Sequence, residues 1–95
     1  MVVGVLKLSL ILPENHSLKG KRGVLRKIQT RVSHQFNISV TECGDQGLWQ
    51  SAVLGFGVVG SSHQIVDATL NKVIDFVDRL HLAQVGDAEK EVYRC

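Results

Sequence analysis

The chain has 95 residues, 44% of them apolar and 21% charged, and a formal net charge of +2. These totals are typical of one globular domain. The low aromatic content and single proline exclude a low-complexity chain. Two cysteines are too few for a disulfide framework, and neither they nor the four histidines show metal-ligand spacing. We therefore expect a single domain over residues 1–95, without a metal or other cofactor.

The first predicted element is a strand over residues 2–12. Its residues alternate, and four leucines at even positions share one side, as expected for a strand with one buried face. The same run has no basic n-region and no small-residue cleavage site. It is also far shorter than the ~20 apolar residues that cross a bilayer. We therefore expect a strand that ends at Pro13, not a signal peptide, in a cytoplasmic protein.

The second predicted element is a helix from an N-cap at Ser17 to about Phe36. Gly20 and Gly23 weaken its first turns, each by up to ~1 kcal/mol relative to alanine. Asn37 is expected to end the helix in the left-handed conformation. Apolar residues recur at 3.6 residues per turn and predict its buried side: Leu18, Val24, Leu25, Ile28, Val32 and Phe36.

The remaining elements complete a βαββαβ order. Residues 38–43 and 51–60 are predicted strands, a capping box of Ser61 and Gln64 starts a helix near Ser62, and residues 82–95 form an edge strand. This order predicts a ferredoxin-like α+β fold, in which a four-stranded antiparallel sheet carries two helices on one face. Strands one and three are then central, so a Cys43–Cys95 disulfide would have to cross the sheet and is not expected.

The predicted first helix is strongly basic. Residues 14–36 hold six lysines and arginines against Glu14 alone, a net +5. A helix that is only solvated usually mixes both signs, because opposite charges four residues apart stabilise it. Contact with phosphates and a plain solvated face are equally good interpretations of this charge. The candidate phosphate-binding residues are Lys19, Lys21, Arg22, Arg26, Lys27 and Arg31.

Lys21 differs from the other cations because its helical angle points it towards the core side of the first turn. It either passes the sheet edge on its flexible stem or points at the helix N-terminus, where free N–H groups attract anions. In the second case Asn15, His16, Ser17 and Lys21 would outline a small-anion pocket. Since no glycine-rich loop is present, loop capping is the favoured role for Asn15 and Ser17.

The second face of the predicted sheet is unusually apolar for a face in water. It carries Val3, Val5, Val53 and Val59. These valines lie beside Lys7, Ser9, Gly55 and Gly57. We expect a homo-oligomer through this open sheet face, although a fold can also tolerate some exposed valine. On its two central strands the face lacks the aromatic residues with which RNA-recognition motifs stack bases.

No reaction centre is recognisable in the sequence. Glu42 has no second carboxylate near it for acid–base catalysis, and no serine lies in a nucleophile elbow. Trp49, the single tryptophan, is expected to cover the open end of the core. We therefore expect a protein that is not an enzyme.

Three stretches carry a resemblance to a known family: "LPENHSLKGKRGVLRKI" (12–28), "FNISVTE" (36–42) and "DQGLWQSAVLGFGVV" (45–59). Together they resemble the YlxP-like family of small bacterial proteins of unknown function, which look ferredoxin-like. Genes of this family often lie beside those for translation initiation and ribosome-binding factors, which implies a role near ribosome assembly or translation. The family has no established catalytic residue to carry over.

The expected function is therefore contact with ribosomal RNA or a ribosome-associated partner through the basic helix. The alternative is a regulatory module that binds a small anion or amino acid at the first loop. Amino-acid-sensing ACT domains have a similar βαββαβ pattern and a ligand loop after strand one. Their usual Asp-x-Pro-Gly turn is replaced here by "LPENHS".

Overall fold

A computed structural model describes residues 1–95 as four strands and two helices in βαββαβ order. The elements are β1 (Val2–Ile11), α1 (Leu18–Gln35), β2 (Ser39–Gly44), β3 (Ser51–Gly60), α2 (His63–Leu80) and β4 (Gln84–Arg94). The strands form one antiparallel sheet in the order β2-β3-β1-β4. The ferredoxin-like arrangement is confirmed, with β1 and β3 at the centre and β2 and β4 at the edges.

The hydrophobic core lies between one face of the sheet and the two helices. Alternation along β1 and β3 sends every second side chain to this face, and the register sets Leu8 opposite Leu54. Each fully buried side chain of this size stabilises the fold by ~1.5–3 kcal/mol. At one end of the core the rings of Phe36 and Phe76 meet edge to face, with centroids 5.5 Å apart. The predicted buried face of strands one and three is thus confirmed.

Both helices begin at a serine cap. The Ser17 Oγ accepts a hydrogen bond from the Gly20 N–H at 2.9 Å, as predicted. In α2 the cap is Ser62, whose Oγ accepts from the Ile65 N–H, and not Ser61. In both helices the N-cap is thus the serine that directly precedes the first helical residue.

The predicted left-handed end of α1 at Asn37 is wrong. The chain leaves the helix at Phe36 in an extended conformation, and only Asp45 and His81 among non-glycine residues have positive φ. The physical reason is packing, because the extended exit lets Phe36 and Ile38 contact the core.

The sheet edges carry the two cysteines, which are free and exposed. Cys43 lies on β2 and Cys95 directly follows β4, so the sheet separates them. Neither α1 nor α2 is apolar over a length that would cross a membrane. No three acidic, histidine or cysteine side chains come together in an arrangement that could hold a metal ion.

Candidate functional site

The outer face of α1 carries exposed cations that have no acidic partner. Both ion pairs of the chain lie elsewhere, between Lys21 and Glu42 and between Lys90 and Asp67. Five of the six basic residues singled out in the sequence lie on this outer face and are exposed: Lys19, Arg22, Arg26, Lys27 and Arg31. We call these five residues the basic surface.

A shallow groove of about 420 Å³ runs through the basic surface and has no apolar side chain in its lining. Arg26, Lys27 and Arg31 line it together with Thr30 and Gly23. The reason is helix geometry: Leu25, Ile28 and Val32 face the core, so the intervening positions face outwards. Like charges held this close repel one another. A bound anion would relieve that repulsion.

Lys21 does not belong to the basic surface, and its prediction as a phosphate contact is wrong. Its side chain is only 1% exposed, and its Nζ donates hydrogen bonds to the carbonyl oxygens of Asp45 at 2.7 Å and Ser51 at 3.1 Å. A third carbonyl, of Gln46, lies 3.4 Å away. The ammonium group is therefore fully engaged inside the protein, where it joins α1 to the β2–β3 connection.

The charge of Lys21 is balanced by Glu42 of β2. The Lys21 Nζ lies 3.3 Å from the Glu42 Oε2, which is buried and accepts no hydrogen bond. A buried ammonium group is costly unless it is both paired and hydrogen-bonded. One carboxylate and three carbonyl oxygens meet that requirement, so Lys21 is a structural residue.

The alternative small-anion pocket is not formed by the residues that were predicted to outline it. The Asn15 side-chain amide donates to the carbonyl oxygens of Ser17 and Trp49, Ser17 caps α1, and Lys21 is buried elsewhere. His16 is exposed. The polar groups of this loop thus serve as caps and braces, and no open set of donors is left for an anion.

A cleft beside the first loop has the wrong character for an anion as well. It encloses about 410 Å³ and is lined by apolar side chains such as Leu12, Val24 and Leu82. Its one acidic residue, Glu14, would repel a negatively charged ligand, and His81 is its only basic group. The cleft therefore offers no support for a small-anion site.

Residues 45–50, the β2–β3 connection, form a braced loop. Gln50 donates its side-chain amide to the carbonyls of Pro13 and Asn15, and its own carbonyl accepts from the Leu12 N–H at 2.8 Å. With the Lys21 and Asn15 contacts, the first loop and α1 hold both ends of this connection.

The tip of this loop carries exposed apolar side chains. Leu48 is 53% exposed and Trp49 is 55% exposed. The prediction that Trp49 covers the open end of the core is wrong, because Trp49 is more than half exposed and does not pack against the core. Its backbone carbonyl is held by the Asn15 side chain. The sequence pattern does not mark this loop as a candidate site. The core-side helical angle of Lys21 indicates an inward-facing lysine, but not that its partners lie on this loop.

The open face of the sheet carries a second groove, of about 540 Å³. Its floor includes Gly55 and Gly57 of β3, and Val5 and Tyr93 are exposed around it. Lys7 lies opposite Glu89 in the β1–β4 register, yet the two form no ion pair. The face thus combines exposed apolar side chains with unpaired charges of both signs.

Tyr93 and Glu91 interact at the edge of this open face. The Tyr93 hydroxyl donates a hydrogen bond to the Glu91 carboxylate. This hydrogen bond, with desolvation and the negative charge of Glu91 as smaller causes, raises the pKa of Tyr93 above 10.0. Tyr93 is therefore neutral and a hydrogen-bond donor at physiological pH.

Fold and surface together define a ferredoxin-like domain with a basic outer helix and a braced loop that exposes a tryptophan. The chain belongs to the family described as "Protein of unknown function (DUF503)", whose model matches residues 3–90. It is 38% identical to the uncharacterized protein YlxP of Bacillus subtilis (strain 168) over 77 residues, which cover 81% of this chain and 84% of that protein. The resemblance to YlxP-like proteins is thereby confirmed.

A solved structure supports the fold. The de novo designed protein Foldit4 matches with a TM-score of 0.54 over 99% of this chain and 97% of that chain, at 10% sequence identity. At that identity the match concerns the arrangement of strands and helices and nothing about activity.

Proposed function

We propose that this protein binds structured RNA, ribosomal RNA in the first place, by phosphate contacts from the basic surface of α1. The observation that carries the proposal is a helix face with five exposed cations and no carboxylate partner, three of which line a groove without apolar side chains. Arginine and lysine at such positions supply charge and hydrogen-bond donors to phosphates without reading the bases. The proposed role is binding and not catalysis, in the cytoplasm, where ribosomal RNA is found.

The reason to name ribosomal RNA in particular is the family to which the chain belongs. YlxP-like proteins resemble this chain, and their genes often lie beside those for translation and ribosome-binding factors. A ribosome-associated protein as the partner would need apolar or acidic contact surfaces opposite α1. RNA needs only phosphates, which fits a groove that has no apolar lining. We therefore favour RNA.

Salt dependence tests the proposal directly. If five cations each neutralise one phosphate, the logarithm of the affinity should fall with that of the salt concentration with a slope of about −3.5 to −4.5. The measurement is fluorescence anisotropy of a labelled ribosomal RNA fragment over a salt series. The test variant is Arg26→Gln/Arg31→Gln on α1, and the control is Lys72→Gln/Arg79→Gln, which removes the same charge from the exposed side of α2.

The two variants should behave differently. We expect the α1 variant to bind more weakly and with a slope smaller by about 2, since each lost phosphate contact removes about one unit of slope. The α2 variant should bind like the unmodified protein. Equal weakening by both variants would mean that only the net charge matters, and the proposed interface would be wrong.

We also propose that the open sheet face joins two copies of the chain. Exposed Val5, Val59 and Tyr93 share this face with Lys7 and Glu89, which are unpaired within one copy. In a two-fold symmetric contact each residue meets the partner's surface reciprocally, so Lys7 of one copy and Glu89 of the other can pair. At ~3.3 Å per residue and ~4.8 Å between strands the face spans on the order of 600 Å², close to the ~800 Å² per partner of a stable complex.

A charge swap tests this dimer. Lys7→Glu should dissociate the dimer in sedimentation velocity experiments, because two acidic surfaces would then meet. Lys7→Glu/Glu89→Lys should restore it, because the exchanged charges are again complementary. A monomer at all concentrations, or dissociation in both variants alike, would contradict the proposed contact.

A further inference from the structure

We propose that Trp49 is a stacking platform for an unpaired RNA base beside the basic surface. This inference rests on the proposed RNA binding and deepens it: the substrate is RNA with a single-stranded segment, and not a plain duplex. Neither the family description nor the resemblance assigns a role to the β2–β3 connection. The structural basis is an exposed indole on a loop that is held from both sides.

The exposure of Trp49 is the first observation. A tryptophan is usually largely buried, because burial of its large ring stabilises a fold. Here Trp49 is 55% exposed and the adjacent Leu48 is 53% exposed. Exposed aromatic rings next to cations are the common means by which proteins hold unpaired bases, since every base has a face that can stack.

The bracing of the loop is the second observation. On one side of the exposed tip, Lys21 binds the Asp45 carbonyl, and on the other side it binds the Ser51 carbonyl. The Asn15 amide binds the carbonyl of Trp49 itself. The buried ammonium group of Lys21 thus fixes both ends of the loop with charge-assisted hydrogen bonds. A ring on a preorganised loop loses little conformational entropy when a base stacks on it.

The position of the loop is the third observation. Asn15, which binds the Trp49 carbonyl, also binds the Ser17 carbonyl at the cap of α1. The first turns beyond that cap carry exposed Lys19 and Arg22. The indole and the first cations of the basic surface therefore lie at the same end of the molecule. An RNA strand with its phosphates on α1 can extend to place a base on Trp49.

The positive charge of the adjacent helix α1, and not that of the two loops, favours RNA over a protein as the occupant. Glu14 and Asp45 are the carboxylates of the two loops, while Lys19 and Arg22 begin a helix without any acidic residue. The surface as a whole is positive, and its cations have no carboxylate partner in the protein. Phosphates provide the missing negative charge at regular intervals along a strand.

Because Trp49 is the only tryptophan, its fluorescence reports contact at this site directly. We would titrate the protein with a single-stranded RNA oligonucleotide and with a duplex of the same length, and record both Trp49 fluorescence and the anisotropy of labelled RNA. Trp49→Ala, Trp49→Phe and Leu48→Ala are the variants, with folding checked by circular dichroism. Trp49→Phe keeps an aromatic ring and controls for loss of the side chain.

Stacking predicts quenching by the single-stranded RNA and little by the duplex. Trp49→Ala should weaken single-strand binding roughly 5- to 150-fold, the range that corresponds to measured stacking contributions. Trp49→Phe should retain most of the affinity, and Leu48→Ala should have a smaller effect than Trp49→Ala.

The failures are distinguishable. If RNA binds with the salt slope expected of the basic surface, but Trp49→Ala binds equally well and no quenching occurs, the stacking inference is wrong and the proposed function stands. Equal quenching by the duplex would also overturn stacking of an unpaired base. If neither RNA binds at low salt, both the function and the inference are wrong.

Discussion

Replacing Lys21 with methionine is the most direct test of how this fold holds its β2–β3 connection. Lys21→Met keeps a flexible stem of similar length in the buried site and removes the ammonium group. The carbonyls of Asp45 and Ser51 then lose their charged donor, and the buried Oε2 of Glu42 loses the cation 3.3 Å away. The substitution therefore separates the charge of Lys21 from its packing.

The expected loss follows from these contacts. Removing one partner of a buried ion pair costs ~3–5 kcal/mol, because the other charge stays buried without compensation. The Glu42 side chain is 23% exposed, so water screens part of this cost. We expect a loss of about 3 kcal/mol from a total stability of ~5–15 kcal/mol, and a melting temperature lower by about 12–24 °C.

The assay is urea unfolding followed by circular dichroism, with Lys27→Met as the control. Lys27 lies on the exposed side of the same helix, so its loss should change stability by no more than ~0.5 kcal/mol. Lys21→Met/Glu42→Leu should be more stable than Lys21→Met alone, because no buried charge then remains. A loss below about 1 kcal/mol for Lys21→Met would refute a structural role for the ion pair.

Two glycines of α1 and the single tyrosine supply further predictions. Gly23→Ala should stabilise the protein by ~0.5–1 kcal/mol in urea unfolding, because nothing lies within 4 Å of the added Cβ and alanine favours a helix. Gly20→Ala should destabilise it instead, since the added Cβ would collide with the Oδ1 of Asn15. That side-chain amide is held in place by the two hydrogen bonds that its Nδ2 donates. A change of the same sign for both variants would contradict this geometry. For Tyr93, absorbance titration of its hydroxyl should give a pKa above 10.0, with Glu91→Gln returning it towards that value. Since the pKa of Tyr93 is raised on folding, its neutral hydroxyl stabilises the fold below the unfolded pKa, and this stabilisation is lost as the pH rises through the folded pKa. Identical titration midpoints in the unmodified protein and in Glu91→Gln would mean that the hydrogen bond to Glu91 is absent.

The sequence alone was sufficient for the fold, because the fold depends on short-range patterns. Alternation at a period of two places Leu8 and Leu54 on one face, and a period of 3.6 does the same for Ile28 and Val32. These patterns specify which side of each element must leave water. With six elements in a βαββαβ order, few arrangements can bury all those sides together.

Helix ends were predicted less well, because they depend on local competition. Ser17 was correctly assigned, since it directly precedes the apolar stripe. Ser61 was one residue early, and Asn37 did not end α1, because Phe36 leaves the helix extended and packs on the core. A cap can be chosen among neighbours only when the packing of the flanking residues is known.

Composition and helical angle also located the exposed cations of α1, since a residue opposite a buried stripe must face solvent. Tertiary structure alone decided where the side chain of Lys21 lies, because the carbonyls that its Nζ binds are 24 and 30 residues further along the chain. The same long-range contacts place Trp49, which was expected to cover the open end of the core, at an exposed position on a braced loop. The physical reason is that periodicity describes one element at a time, whereas hydrogen bonds between loops depend on how the packed core brings those loops together.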